Sequence, residues 1–145
     1  ISYQNIKQST IVIKEECKPP ESISADHHKI VICDGDQNAF AIDRNGNTLF
    51  HFDAPSVEGH QIDHVIKRPM CISCDVNDVT CILWEVQSGG KVDKIVSAYV
   101  GKEGIACKVV ANDVMFITVA HDKNGEARLI VGTPNNEITV YRLFN

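Results

Sequence analysis

The chain has no long apolar stretch. Its longest such tract, Val114-Met-Phe-Ile-Thr-Val-Ala120, falls far short of the roughly 18–20 residues that span a bilayer, so no membrane-spanning helix is expected. The first residues, Ile1-Ser-Tyr-Gln-Asn-Ile-Lys7, lack the basic start and apolar core of a secretory leader. Positive charge is also scarce. Lys and Arg number 14 against 19 Asp and Glu, a formal net charge of −5, which argues against a binder driven by the nucleic-acid backbone. The nucleophile elbow Gly-x-Ser-x-Gly, a glycine-rich phosphate loop and His-Glu-x-x-His are all absent. No enzyme is expected on that ground, and no cofactor.

Six cysteines are present: Cys17, Cys33, Cys71, Cys74, Cys81 and Cys107. An even number permits disulfides, but there is no Asn-x-Ser/Thr sequon. Several of the thiols lie inside apolar runs (Ile30-Val-Ile-Cys33, Thr80-Cys-Ile-Leu83, Ala106-Cys-Lys-Val109), where they act as small hydrophobes. Reduced thiols in an intracellular protein, cytoplasmic or nuclear, are the expectation.

Hydrophobic residues make up 43 % of the 145, enough for one folded domain over 1–145. Their pattern is alternation and short β-branched runs, with no period of 3.6. Candidate strands lie near 9–15, 20–25, 29–34, 39–43, 48–52, 69–74, 79–86, 92–99, 105–111, 114–120, 127–132 and 137–143. Turn chemistry separates them: Asp43-Arg-Asn-Gly-Asn47, Ser88-Gly-Gly90, Lys123-Asn-Gly125 and Pro134-Asn-Asn136. Residues 53–68 are polar and read as a longer connection with room for one helical turn.

Pro20-Glu-Ser-Ile-Ser-Ala-Asp26 is echoed by Pro69-Met-Cys-Ile-Ser-Cys-Asp75, a displacement of 49 residues, and each copy precedes an apolar strand. Val110-Ala-Asn-Asp113 is a looser third echo. A period of roughly 40–50 residues with about four strands per unit is the pattern of propeller blades. Within Pro20 to Phe52 the order Pro20, Ile23, Asp26, Ile30-Val-Ile-Cys-Asp34, Gly35-Asp-Gln-Asn38, Ala39-Phe-Ala-Ile-Asp43, Gly46 and Leu49-Phe-His-Phe52 resembles one blade of an NHL- or WD-like β-propeller. Leu129 to Leu143 is similar to the middle strands of a WD-like blade. The resemblance departs from the family at several points: Asp34 and Asp43 stand about one residue too close, Trp-Asp and Gly-His dipeptides are missing, and the second unit matches only in its first half.

The resemblance implies an all-β fold of about three four-stranded blades, with approximate repeats 17–58, 66–104 and 105–145. Residues 9–15 would serve as a closing strand for the last of them. Three blades do not close a ring, so a larger protein, a partner or a second copy would complete it. A β-trefoil is the rival fold, though Trp84 is the only tryptophan and no Gln-x-Trp recurs. The function implied is a non-catalytic protein-interaction scaffold. Its alternatives are a single-stranded RNA-binding NHL-like module and a trefoil ligand-binding domain.

Blade phasing puts the contact positions on inter-strand turns: His27 and His28, then Asp36, Gln37 and Asn38, then Asn135 and Asn136. Asp34-Gly-Asp36-Gln-Asn38 has the start of a calcium loop, but Ala39 and Asn45 stand where an EF-hand needs Gly and Glu, so a polar turn is expected there. A weak zinc alternative joins His60 and His64 to Cys71 and Cys74. It conflicts with the strand expected at 69–74, on which residues three apart point to opposite faces.

Overall fold

The computed structural model describes residues 2, 4–57, 62, 64–65, 70–74 and 76–144, without the side chains of 64, 71–74 and 76. Among the described residues there are twelve strands in three antiparallel sheets. The first sheet is a meander of β1 (Pro20–Ala25), β2 (Ile30–Asp34), β3 (Ala39–Ile42) and β4 (Thr48–His51). In the second, β7 (Val79–Ser88), β8 (Lys91–Val100) and β9 (Glu103–Val110) follow β6 (Met70–Cys74). The short β5 (His64–Val65) shares the outer edge of β7 with β6. The third sheet has three strands, β10 (Phe116–His121), β11 (Ala127–Gly132) and β12 (Ile138–Arg142).

Strands form where β-branched and aromatic side chains fit a pleated surface. At several of the breaks the backbone takes positive φ. β7 and β8 are joined by Gly89 and Gly90 alone, at φ 55° and 81°, the two-residue geometry that a right-handed hairpin twist favours. Among the described residues the sole helical element is a single 3₁₀ turn, Val76–Asp78, just before β7.

The sheets stack face to face. Between the first and second lie Val31, Cys33, Ala39, Ala41 and Phe52 against Ile82, Trp84, Val86, Ile95 and Tyr99. Between the second and third lie Cys81, Leu83, Val96 and Ala98 against Ile117, Leu129 and Val131. β7 is therefore buried on both faces, which explains its continuous apolar run. The first strands of the sheets adjoin: β1 lies beside β6, and β6 beside β10.

The 49-residue echo survives as pairing register. β1 meets β2 as Ile23↔Ile32 and Ser24↔Val31, and β6 meets β7 as Ile72↔Cys81 and Ser73↔Thr80. The facing does not survive. Cys33 and Ile82, equivalent by that displacement, both enter the layer between the first two sheets, while Ile32 and Cys81 both turn away from it. A strict rotational repeat would turn Ile82 towards the third sheet. Because β7 is apolar at every position from Val79 to Trp84 except Thr80, either facing buries it, and hydrophobicity does not fix the choice.

Three expectations are corrected. Residues 9–15 form no strand and do not close the last sheet. Instead Ile11, Ile13 and Cys17 cover Ile32, Phe40 and Ile42 on the outer face of the first sheet, because those three side chains have no other sheet to bury them. The second sheet runs to Val110, so the repeat boundary placed at 104/105 falls inside β9, and Asp113 of the looser echo precedes a first strand where Asp26 follows one. A trefoil needs a closed barrel, whereas these sheets remain separate and open.

Candidate protein-interaction surface

The rims of the sheets are built by one turn device used four times. At 34–38, 43–47, 122–126 and 133–137, the first residue's N–H donates to the carbonyl of the fifth, at 3.1, 2.9, 2.9 and 3.1 Å. In the first three, an aspartate Oδ1 accepts the N–H groups of the third and fifth residues. The distances are 2.9 and 3.1 Å for Asp34, 2.8 and 3.0 Å for Asp43, and 2.8 and 3.1 Å for Asp122. In the fourth, Thr133 Oγ1 accepts from Asn135 at 3.4 Å. A side-chain oxygen thus closes each turn from inside. The apparent calcium-loop start at Asp34 is this device, and its carboxylate is occupied by the protein's own amides.

Asp34 is fully buried and also accepts Lys18 N–H at 3.2 Å and the Asn38 amide at 2.8 Å. Burial would raise its carboxyl, but the bonds from Asn38, Asp36 and Lys18 outweigh that and hold it below the usual range. At Asp43 and Asp122 the amides of Asn47 and Glu126 lead the same lowering.

An ionic cluster ties the first two sheets together. Lys29, 3 % exposed, reaches Asp26 Oδ2 at 2.8 Å and Asp78 Oδ1 at 2.6 Å, across from the β1–β2 turn to the β6–β7 turn. Asp26 Oδ1 also accepts the N–H of His28 and of Lys29. Burial works to raise Asp26, and the hydrogen bonds and charge of Lys29 together with the His28 N–H bring it below its usual value. The aspartates neutralise a lysine that the stacking has removed from water.

The third sheet has two faces of different fate. Ile117, Leu129 and Val131 point into the core. The opposite face carries the rungs Phe116–Gly132–Ile138, Thr118–Ile130–Val140 and Ala120–Arg128–Arg142. Phe116, Ile138 and Val140 are 63 %, 73 % and 55 % exposed. Sequence reading missed this surface, although Phe116-Ile117 and Leu129-Ile-Val131 signal strands apolar on both faces.

The expected contact residues are not brought together. His27 and His28 are exposed in the β1–β2 turn, at one end of the first sheet. Asp36, Gln37 and Asn38 are exposed in the β2–β3 turn, at the other end. Asn135 and Asn136 lie exposed in the β11–β12 turn, where the Asn135 amide donates to Asp113 at 3.2 Å. Of the zinc alternative, His60 lies outside the described residues. His64, Cys71 and Cys74 are placed by backbone alone, on β5 and β6 opposite Gln87, Ile82 and Val79. Among the described residues no three His, Cys, Asp or Glu side chains gather as a metal site. In a cleft of about 380 Å³ beside residues 53–56, Tyr99 donates to the Asp53 carbonyl and Cys107 to that of Ser56, while the buried Ser97 hydroxyl has no hydrogen-bond partner among the described residues. No described helix is long and apolar enough to cross a membrane.

No protein-family model, curated protein or solved structure gives a significant match to this chain.

Proposed function

We propose that the chain is a non-catalytic protein-interaction module, a propeller-like stack of β-sheets that a further sheet or partner extends. The observation that carries this reading is the bare apolar face of the third sheet, Phe116, Ile130, Ile138 and Val140. The corresponding end of the stack, at the first sheet, is covered by Ile11 and Ile13. Exposed apolar patches of this kind mark interaction surfaces. Consecutive meanders with adjoining first strands support the propeller-like arrangement, and side-chain-locked turns at both ends provide rigid rims for contact.

Photo-crosslinking from a reactive residue placed at Ile138, and separately at Asn135, tests the reading. Protein adducts at either position are expected. RNA adducts in place of protein ones would overturn it in favour of nucleic-acid binding, and the absence of any adduct at both positions would overturn it outright.

A further inference from the structure

We infer that the outer face of the third sheet is a self-complementary interface for a second copy of this chain, a conclusion that rests on the interaction-module reading and names its partner. Three features favour a second copy. The first is shape. Gly132 has no side chain between Phe116 and Ile138, and an open groove of about 450 Å³ runs over this rung, lined by Phe116, Thr118, Ile130 and Ile138. The exposed side chains beside the groove, Val140 above all, are of a size to enter the same groove on a facing sheet.

The second is charge. Arg142 stands exposed at one end of the face, beside an Arg128 that Asp122 and Glu126 already hold at 2.7 and 3.2 Å, and Glu137 stands at the other end, beside Ile138. Arg142 lies four positions beyond Ile138, about 13 Å along the strand. A two-fold axis lying midway between the facing sheets, perpendicular to the strands, lays apolar centre on apolar centre and sets Arg142 of each copy opposite Glu137 of the other. Such isologous pairing is the commonest symmetry of homo-oligomers.

The third is the state of the other end. A head-to-tail contact would seat this face on the outer face of the first sheet, but Ile11, Ile13 and Cys17 already lie there. Back-to-back pairing of third sheets displaces nothing.

The face is three strands wide and five residues long, less than the roughly 800 Å² per partner of a standard interface, so dissociation is expected in the micromolar range or above. Sedimentation velocity of the full chain over a wide concentration range is the test. The expected result is a rise from 16.0 kDa towards twice that mass. Ile138→Asp with Val140→Asp should abolish the rise while Trp84 fluorescence still reports a folded protein. Arg142→Glu should weaken association at least tenfold, and Arg142→Glu with Glu137→Arg should restore it. A mass that stays monomeric at every concentration overturns the proposal, as does association indifferent to these substitutions. A monomer that still yields crosslinks from Ile138 to a different protein would overturn the second-copy assignment and leave the interaction-module reading standing.

Discussion

Asp34 shows how much one side chain organises. Its buried carboxylate accepts four N–H groups from the β2–β3 turn and from Lys18, and Gly35 N–H bonds Pro19 O beside it at 3.0 Å. Asp34→Ala would leave those part-buried donors unmatched, and a loss of about 1–3 kcal/mol in urea unfolding is expected, the cost of an unmet buried donor. Asp43→Ala removes a similar set of bonds at an exposed turn, where water replaces the carboxylate, so its loss should be clearly smaller. The acid limb follows from the same groups. The carboxyls of Asp26, Asp34, Asp43 and Asp122 are all lowered in the folded chain from the ordinary 3.8. Their contribution is complete above that value and is lost as pH falls through the folded values, because the unfolded chain then binds protons first. The urea midpoint should therefore fall steeply below about pH 4. Lys29→Met leaves Asp26 buried without its cation, and about 3–5 kcal/mol of destabilisation is expected. Asp78 stands half in solvent, so Asp78→Asn should cost less. Tyr99 marks the alkaline side. Burial, with the nearby Asp53 and Cys107 charges, pushes its phenol up to about 12 against the opposing contacts of Ser97 and Trp84. Absorbance titration should find one tyrosine ionising well above 10.

At the scale of elements, the N-terminal arm is the least conventional piece. It is extended and half-buries Ile11 and Ile13, yet its described backbone bonds to the first sheet include Lys14 N–H to Gly46 O at 3.0 Å and no strand ladder. Gly46 permits this at φ 86°. A Cβ there would stand 1.9 Å from the Val12 carbonyl oxygen. Gly46→Ala is expected to cost more than about 1–2 kcal/mol, the left-handed strain alone accounting for that much. Hydrogen exchange should show the Lys14 amide losing protection while β2 and β3 keep theirs. An unchanged exchange rate at Lys14 would mean that the arm is not seated on this turn. The arm supplies apolar cover that a neighbouring sheet supplies elsewhere, and because Ile11 and Ile13 are half-buried each contributes less than the about 1.5–3 kcal/mol of a fully buried side chain.

For the whole molecule, the order of the layers matters more than any one strand. The central sheet is covered on both sides, the first on its outer side by the arm, and the third on one side only. Trp84, the single tryptophan, lies 1 % exposed in the first of these layers. Its emission should shift red on unfolding together with loss of the Lys29 cluster, since both bridge the same two sheets. Denaturation followed by Trp84 fluorescence and by far-ultraviolet dichroism should coincide if the stack unfolds as one unit. A fluorescence transition that precedes the dichroism transition would show the first sheet separating on its own.

Much of the element list was legible in the sequence because strand formation and turn chemistry are local. Alternation, β-branched runs and the Asp, Asn and Gly clusters placed eleven of the twelve strands close to where they lie, and the Asx turns were readable as polar caps. The 49-residue echo of the two Pro-led segments was visible in the same way, but their pairing register came only from the fold. The segment at 9–15 was misread because an extended apolar stretch looks the same whether it joins a ladder or lies across a sheet face. The Lys29–Asp78 bond spans 49 residues and depends on two sheets meeting, so no spacing rule reveals it. The facing of the second sheet was equally hidden, because a strand apolar on both sides satisfies hydrophobic burial in either orientation. The sequence by itself determined where this chain extends and turns. Which faces meet, and which apolar face of the third sheet is left bare among the described residues, was decided only by tertiary packing, since burial is a property of neighbours brought together by the fold.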